Sequence, residues 1–194
     1  MKKILLSTLM LFAAITATFA QHRVGSITLQ PKVGVNIASL TKNGGGDPRW
    51  GFVGGAEFEY QATDIFSLTA GVLYSMEGAK NKDSNTTLTT KLDYINIPIL
   101  ANVYVAKGLA VKLGVQPEFN VKSSFNASYG SSSASEDFDA KGVCFSIPVG
   151  MSYEFSGAPV VIDARYNWGL TKVADGVDCK NSVFQITLGY KFDL

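Results

Sequence analysis

From Ile27 to Leu194, apolar and polar side chains alternate along the chain in short segments separated by turn-rich stretches. Side chains of a β-strand point alternately to the two faces of a sheet, so a period of two predicts strands. No helical period of useful length occurs in this region. The last segment, 183–194, shows the alternation most clearly, and we expect it to pair with the first strand. Its apolar face carries Phe184, Ile186, Leu188, Tyr190, Phe192 and Leu194.

Eight such segments are predicted, and the connections between them alternate between long and short. The strands span residues 27–38, 50–60, 66–76, 94–105, 109–121, 143–155, 160–170 and 183–194. Longer loops at 41–48, 77–86, 122–137 and 171–181 alternate with short turns at 63–64, 107–108 and 156–159. Alternate connections of an up-and-down barrel emerge at opposite ends, so all the longer loops lie at one rim. This asymmetry is typical of outer-membrane barrels.

Two stretches are expected to depart from regular strands. Pro98 lies inside the fourth segment, and a bulge is predicted there because proline cannot donate a hydrogen bond to a neighbouring strand. The stretch Lys122–Asp137 is dominated by Ser, Asn, Ala and Gly, a composition typical of flexible connections. We therefore predict a long mobile loop over these residues.

The alternation alone does not show whether the apolar face points outward to lipid or inward to a core. A soluble lipocalin-like barrel has the same period with an apolar interior. The polar face here is mostly small and uncharged, whereas a face in water would normally carry more Lys and Glu. Aromatic residues of the apolar face gather near the strand ends, as they do at the two membrane interfaces of outer-membrane barrels. A sheet in lipid must also close on itself, which agrees with the expected pairing of the last strand with the first. The predicted fold is an all-β, eight-stranded antiparallel up-and-down transmembrane β-barrel.

The first twenty residues have the features of a secretory signal peptide. Two lysines precede an apolar run, 4–19, which ends beside the small residue Ala20. We expect cleavage after Ala20, which removes the signal peptide 1–20 and leaves a single barrel domain, 21–194. No Cys follows the cut, so a lipoprotein is not expected. The barrel is expected in the outer membrane of a Gram-negative bacterium, with both termini periplasmic.

The charge balance and the cysteine and histidine content limit which partners and sites are expected. The chain has 17 basic and 16 acidic residues, and cleavage removes two lysines, so nothing favours nucleic acid as a partner. Export places Cys144 and Cys179 where disulfides persist, and both lie at the same end of the predicted barrel. They form either a disulfide or two free thiols. The single histidine, His22, lies beside the cleavage site, so no metal site, cofactor or hydrolytic base is expected.

Four stretches of the sequence also resemble a known family. They are GVLYSMEGA at 71–79, LDYINIPIL at 92–100, DARYNWGL at 163–170 and GYKF at 189–192. In this order and spacing they are similar to the PorT-like family of outer-membrane β-barrel domains, over essentially the whole mature chain. The resemblance implies a small bacterial outer-membrane barrel. It does not imply a shared activity, because the family is mostly uncharacterised, although its namesake is linked to protein secretion. It implies no catalytic residues.

The polar face, which points into the predicted barrel, carries charges of both signs. Unpaired buried charges are costly, so these side chains are expected to pair with one another. They either line a selective channel or form a salt-bridged plug, and the plug is favoured because eight strands leave an interior about filled by side chains. The predicted lumen charge network consists of Lys32, Glu57, Glu59, Lys112, Glu118, Glu154, Asp163, Arg165 and Lys191.

Two weaker patterns suggest a catalytic or a metal-binding site. Glu57 and Glu59 could form an acid–base pair, but cations are expected close to them in the lumen. Asp175 and Asp178 could bind calcium, but they supply too few oxygen ligands in a regular spacing. No catalytic residues are therefore assigned.

The sequence predicts a small non-catalytic outer-membrane barrel with a plugged polar lumen. It acts through its outer loops, chiefly Lys122–Asp137, or through envelope partners. The alternatives are a narrow conduit for small solutes and an enzyme of unusual design. Expected partners are outer-membrane lipid, the barrel-assembly machinery during biogenesis, and a protein of the envelope or of a secretion system. The barrel is expected to be a monomer.

Overall fold

Antiparallel β-strands make up almost all of the regular structure in the computed structural model, which describes residues 23–41, 47–83, 86–129, 132–138, 140–174 and 178–194. The predicted signal peptide, its cleavage site, His22 and Asp175 lie outside these residues. Among the described residues, no helix is long and apolar enough to cross a membrane. The strands are β1 Ile27–Leu40, β2 Asp47–Thr63, β3 Phe66–Asp83, β4 Thr86–Asn96, β5 Ile99–Ala106, β6 Leu109–Tyr129, β7 Ser132–Asp137, β8 Val143–Glu154, β9 Val160–Gly169, β10 Asn181–Tyr190 and β11 Phe192–Asp193.

The sheet closes on itself into a barrel. Hydrogen-bonded neighbours follow the order β10-β9-β8-β6-β4-β3-β2-β1, and β1 also pairs with β10. The closing pair is antiparallel, with Lys32 opposite Gly189 at one end and Leu40 opposite Asn181 at the other. This arrangement confirms the eight-stranded up-and-down barrel and the pairing of the last strand with the first. Eight barrel strands result because β4 and β5 are two parts of one strand, β11 continues β10, and β7 pairs only with β6.

The fourth barrel strand is interrupted where proline was expected to disturb it. Strand β4 ends at Asn96 and β5 begins at Ile99, so the break falls on Ile97 and Pro98. The backbone groups at the break still find partners: Ile97 N donates to the Pro117 carbonyl over 2.9 Å, and Gly71 N donates to the Pro98 carbonyl over 3.2 Å. The predicted bulge is not formed, because the register with β3 is the same on both sides of the break, from Leu73 opposite Asn96 to Ala70 opposite Ile99. Pro98 interrupts the strand without an inserted residue, and the two bonds bridge the gap.

Both predictions of long loops at 77–86 and 122–137 were wrong. Strand β3 continues to Asp83 and pairs there with Thr86 of β4, so the first of these stretches is strand almost throughout. The outer half of β4 pairs with β6 as far as Tyr129. Strand β7 then adds to the other edge of β6. The four strands therefore extend beyond the barrel rim as an outer sheet, which consists of the outer ends of β3, β4 and β6 together with β7.

The apolar face of the barrel points outward and the polar face inward, as predicted. Trp50 and Trp168 on the outer surface are 68% and 61% exposed, whereas Lys32 and Arg165 in the interior are 2% and 1% exposed. At the long-loop end, the interior is instead closed by apolar side chains. This rim cluster consists of Leu40, Ala79, Leu92, Tyr94, Cys144, Val173 and Cys179, with Phe138 and Ala140 packed against it.

Candidate functional site in the lumen and at the outer rim

All nine charged residues assigned to the interior by the alternation lie there. Each belongs to the face of its strand that points into the barrel, and each is buried: Lys32, Glu57, Glu59, Lys112, Glu118, Glu154, Asp163, Arg165 and Lys191. From the short-turn end towards the long-loop end they form three levels. We call these the lower, middle and upper levels of the lumen.

The middle level is a dense network centred on Arg165. Its guanidinium binds Glu57 through two hydrogen bonds, of 2.6 Å from Nη1 and 2.8 Å from Nη2. Nε and Nη2 of the same group each reach a different oxygen of Asp163 over 2.7 Å. Lys32 Nζ lies 2.7 Å from Glu57 and Lys112 Nζ lies 2.7 Å from Asp163. Both carboxylates are thus shared among several cations, the arrangement that makes burial of charge tolerable.

The lower level is built around Lys191. Its ammonium lies 2.9 Å from the Glu59 carboxylate and 3.0 Å from that of Glu154. Tyr104 supplies a further contact, because its hydroxyl donates to Glu59 and accepts a 3.3 Å hydrogen bond from Lys191. Ser67 also donates to Glu59. Glu57 and Glu59 therefore hold separate cations on separate levels, and they do not form an acid–base pair.

Glycines on neighbouring strands make room for these large side chains. A Cβ atom on Gly71 would lie 2.6 Å from Cγ of Glu57, and one on Gly150 would lie 3.0 Å from Cγ of Arg165. A larger residue at either position would push the charged group out of its place. The centre of the lumen is thus occupied by buried, mutually paired charged side chains.

Glu118 departs from the prediction, because it joins neither cation network. Its carboxylate lies on the upper level, where Oε1 accepts hydrogen bonds of 2.9 Å from Gln116 and 2.5 Å from Ser146. The upper level also holds Glu77, the first residue of the predicted loop 77–86. Glu77 is fully buried, and its two oxygens accept hydrogen bonds from Ser75, Asn96 and Asn181. The described residues offer neither carboxylate a cation within ion-pair distance.

The two cysteines lie together in the rim cluster as free thiols. Cys144 comes from β8, and its Sγ lies 3.8 Å from the Lys172 carbonyl. Cys179 comes from the connection between β9 and β10, where burial, with a smaller effect of Asp178, raises the pKa of its thiol. With Val173 of the same connection, they cover the upper level of the lumen on the side of the long loops.

A polar cavity of about 290 Å³ lies on the outer sheet, beside the last outward-facing aromatic of β3. Tyr74 Oη donates a 2.9 Å hydrogen bond to Asp93 at its margin. Asp93 Oδ1 is buried and has no hydrogen-bond partner. The cavity is lined by Arg49, Met76, Lys91, Asp93, Lys122, Ser124, Asn126, Ser135 and Asp137. This cavity could not be predicted from the alternation, because five of the lining residues belong to the predicted loop 122–137.

The calcium pattern considered for the last long loop finds little support. Asp178 lies 3.5 Å from Lys172 at the surface, and Asp175 lies outside the described residues. Within the described ranges, no three His, Cys, Asp or Glu side chains gather as metal ligands.

Comparison with known proteins finds β-barrels that are similar to this architecture. The model of a family described as outer membrane protein beta-barrel domain matches residues 19–175. Ail, the attachment invasion locus protein of Yersinia pestis, is similar in structure, with 16% identity, a TM-score of 0.54, and coverage of 88% of this chain and 100% of Ail. Neisserial surface protein A is also similar, with 16% identity, a TM-score of 0.54, and coverage of 86% and 97%. Curated protein sequences show no significant match.

Proposed function

Because this chain belongs to the family of outer membrane protein beta-barrel domains, we propose that it is a non-catalytic outer-membrane barrel that binds a protein partner through its outer sheet. In this proposal the short turns and both termini are periplasmic, and the outer sheet faces the cell exterior, as is usual for barrels with this loop asymmetry. The partner is a protein of the envelope or of a secretion system, in keeping with the PorT-like resemblance.

The observation that carries this proposal is the charged cavity of the outer sheet. Arg49, Lys91 and Lys122 bring positive charge to it, while Asp93 and Asp137 bring negative charge. Most of the outer surface of this barrel is apolar. The cavity differs from it, because polar groups and charged groups of both signs line a concave surface there. Such a surface is complementary to the polar side chains of a protein more than to a lipid chain.

The packing of the barrel interior argues against the alternative function, a conduit for small solutes. Arg165, Glu57 and Asp163 fill the middle level with mutual hydrogen bonds, and the rim cluster covers the long-loop end. A solute would have to displace both. A purified barrel in planar bilayers is therefore expected to show no steady conductance.

Site-specific crosslinking in intact cells tests the proposal. A photoreactive residue in place of Ser135 lies in the cavity lining, whereas one in place of Glu136 projects from the opposite face of the same strand. We expect a protein adduct from position 135 and a much weaker one from position 136. Substituting Lys91→Ala together with Lys122→Ala should reduce the adduct while heat-modifiability on gels is kept.

Substitution is preferred to deletion here. Removing residues 124–135 would take away the β6 partner of the outer half of β4 and leave an unpaired edge, so loss of function could not be assigned to the cavity. Equal adducts from both positions would contradict this proposal. If neither position gives an adduct and the folded protein shows solute-selective conductance, the conduit replaces it. Mass spectrometry of the adduct identifies the partner and shows whether it belongs to a secretion system.

A further inference from the structure

The upper level of the lumen holds two carboxyl groups to which the described residues bring no cation. The middle and lower levels pair four cations with four carboxylates: Lys32, Lys112, Arg165 and Lys191 against Glu57, Asp163, Glu59 and Glu154. Glu77 and Glu118 remain, buried to 0% and 2% exposure. The nearest guanidinium, of Arg49, donates to the backbone carbonyl of Glu77 and forms no ion pair with its carboxylate. Two buried charges without a counter-ion are expensive.

Glu77 and Glu118 are brought together by one residue between them. Asn96 lies opposite Glu118 in the pairing of β4 with β6. Its side chain donates a 3.1 Å hydrogen bond from Nδ2 to Glu77 Oε1. Both carboxyl groups therefore face the same small volume of the upper lumen, on either side of the Asn96 carboxamide.

The amide side chains around Glu77 also carry unused oxygen atoms. Asn96 and Asn181 each donate through Nδ2 to Glu77, and the Oδ1 atom of each is buried without a hydrogen-bond partner. Asn36 donates to Ser75, which donates in turn to Glu77, and Asn36 Oδ1 is also unpartnered. These three asparagines are at most 4% exposed. Buried acceptors without donors are rare in folded proteins, and an ordered water or a bound cation satisfies them.

We propose that Glu77 and Glu118 bind one hard divalent cation of the calcium class in the upper lumen. Two carboxylates balance its charge, and a half-turn of the Asn96 and Asn181 side chains about their last torsion presents amide oxygens to it. Ser75 and Ser146 contribute hydroxyl oxygens at the same level. Calcium accepts six to eight oxygen ligands in variable geometry, which suits carboxylate, amide and hydroxyl groups drawn from several strands.

The placement gives the cation a structural role. Its ligands come from β3, β4, β6, β8 and β10, so one ion would join most of the barrel circumference directly beneath the rim cluster. This inference is independent of the partner proposed for the outer sheet. A barrel that fails to bind any protein partner could still hold the ion.

The test measures metal content and thermal stability of the full mature barrel refolded in detergent. After chelation and removal of chelator, Ca²⁺ should raise the midpoint of thermal unfolding in a saturable way, and elemental analysis should find about one ion per chain. The double variant Glu77→Gln, Glu118→Gln should retain no Ca²⁺ and should not respond to it. Glu136→Gln, which removes an exposed carboxylate on β7, should behave as the unaltered protein.

A milder variant keeps the test meaningful if the double variant does not fold. Glu118→Gln alone leaves Glu77 in place and should weaken Ca²⁺ binding by at least about tenfold, because affinity follows the charge of the ligands. Absence of a Ca²⁺ response in the unaltered protein, with no ion in elemental analysis, would overturn the proposal in favour of carboxyl groups neutralised by protons. Binding of equal strength in the unaltered protein and the double variant would overturn it as well.

Discussion

Arg165 is the single residue on which the middle of the barrel depends most. Its guanidinium holds Glu57 and Asp163 at once, and all three side chains are at most 1% exposed. Arg165→Ala leaves both carboxylates with only the lysines as partners, so we expect the free energy of unfolding to fall by about 3–5 kcal/mol, the usual cost of breaking a buried pair. Urea unfolding of the refolded barrel, followed by tryptophan fluorescence, measures this change.

An exposed ion pair provides the control for this substitution. Lys172 and Asp178 lie 3.5 Å apart with about half of each side chain in solvent. Lys172→Ala should therefore change the unfolding free energy by about 0–1 kcal/mol. Similar losses from both variants would show that burial of the Arg165 network contributes nothing beyond a surface pair.

Thiol chemistry at the rim distinguishes the two states that the sequence left open for the cysteines. Cys144 and Cys179 are free thiols, 2% and 4% exposed. Burial also raises the pKa of the Cys179 thiol, which lowers the reactive thiolate fraction at neutral pH. We expect the folded barrel to react slowly with a maleimide and to take up two labels after unfolding without reductant. One disulfide and no labels in the unfolded chain would contradict the free-thiol state.

Single residues in the lumen were partly predictable from the sequence. The two-residue period assigns each side chain to a face, so all nine interior charges could be named. The period says nothing about which strands lie opposite across the barrel, and the separation of Glu118 from the cation networks could not be foreseen. Glu77 was missed because the third segment was ended at Met76. One further step of the same alternation places it inside.

At the scale of elements, strands within the barrel were predictable and the outer sheet was not. A barrel strand has one face on lipid and one in the lumen, so its sequence alternates. In the outer parts of β4 and β6, Thr and Ser occupy both faces, and the hydrophobic signal disappears. These parts are strands because each backbone satisfies the hydrogen bonds of its neighbour. Composition alone therefore gave the appearance of a loop.

The outer end of β3 depends on one glycine in an unusual conformation. Gly78 has φ of +118°, and a Cβ atom there would lie 2.1 Å from the Thr90 carbonyl oxygen. Gly78→Ala should therefore loosen the pairing of β3 with β4 beyond this point, at a cost of about 1–3 kcal/mol. Limited proteolysis should show faster cleavage between 78 and 90, while the barrel stays heat-modifiable.

Gly142 is a matched control, because a Cβ atom there would meet nothing within 4 Å. Gly142→Ala should leave the cleavage rate unchanged. Equal cleavage of the two variants would show that the strained glycine does not hold the outer sheet together.

At the scale of the whole molecule, stability in lipid requires that no strand edge remain open. Each unpaired backbone group in hydrocarbon costs several kcal/mol, and β10 supplies partners to both β1 and β9. A chain ending before Asn181 leaves nine residues of β1, from Lys32 to Leu40, without partners on the side where β10 pairs. We expect such a chain not to refold in detergent, to be digested rapidly by protease and to migrate equally with and without boiling.

A shorter truncation distinguishes the effect of opening the barrel from the effect of shortening the chain. Removing residues 192–194 takes away the pairs of Thr28 with Asp193 and Leu29 with Phe192, at the short-turn end. It also removes the hydrogen bond from Leu194 N to the Ile27 carbonyl and the ring contact of Phe192 with Tyr190. The contacts of β1 with β10 and the ion pairs of Lys191 remain, so this chain should fold, with a lower unfolding temperature. Refolding in detergent measures closure in the absence of any other protein. A heat-modifiable barrel formed by the chain that lacks β10 would show that closure by the last strand is not what holds the molecule together.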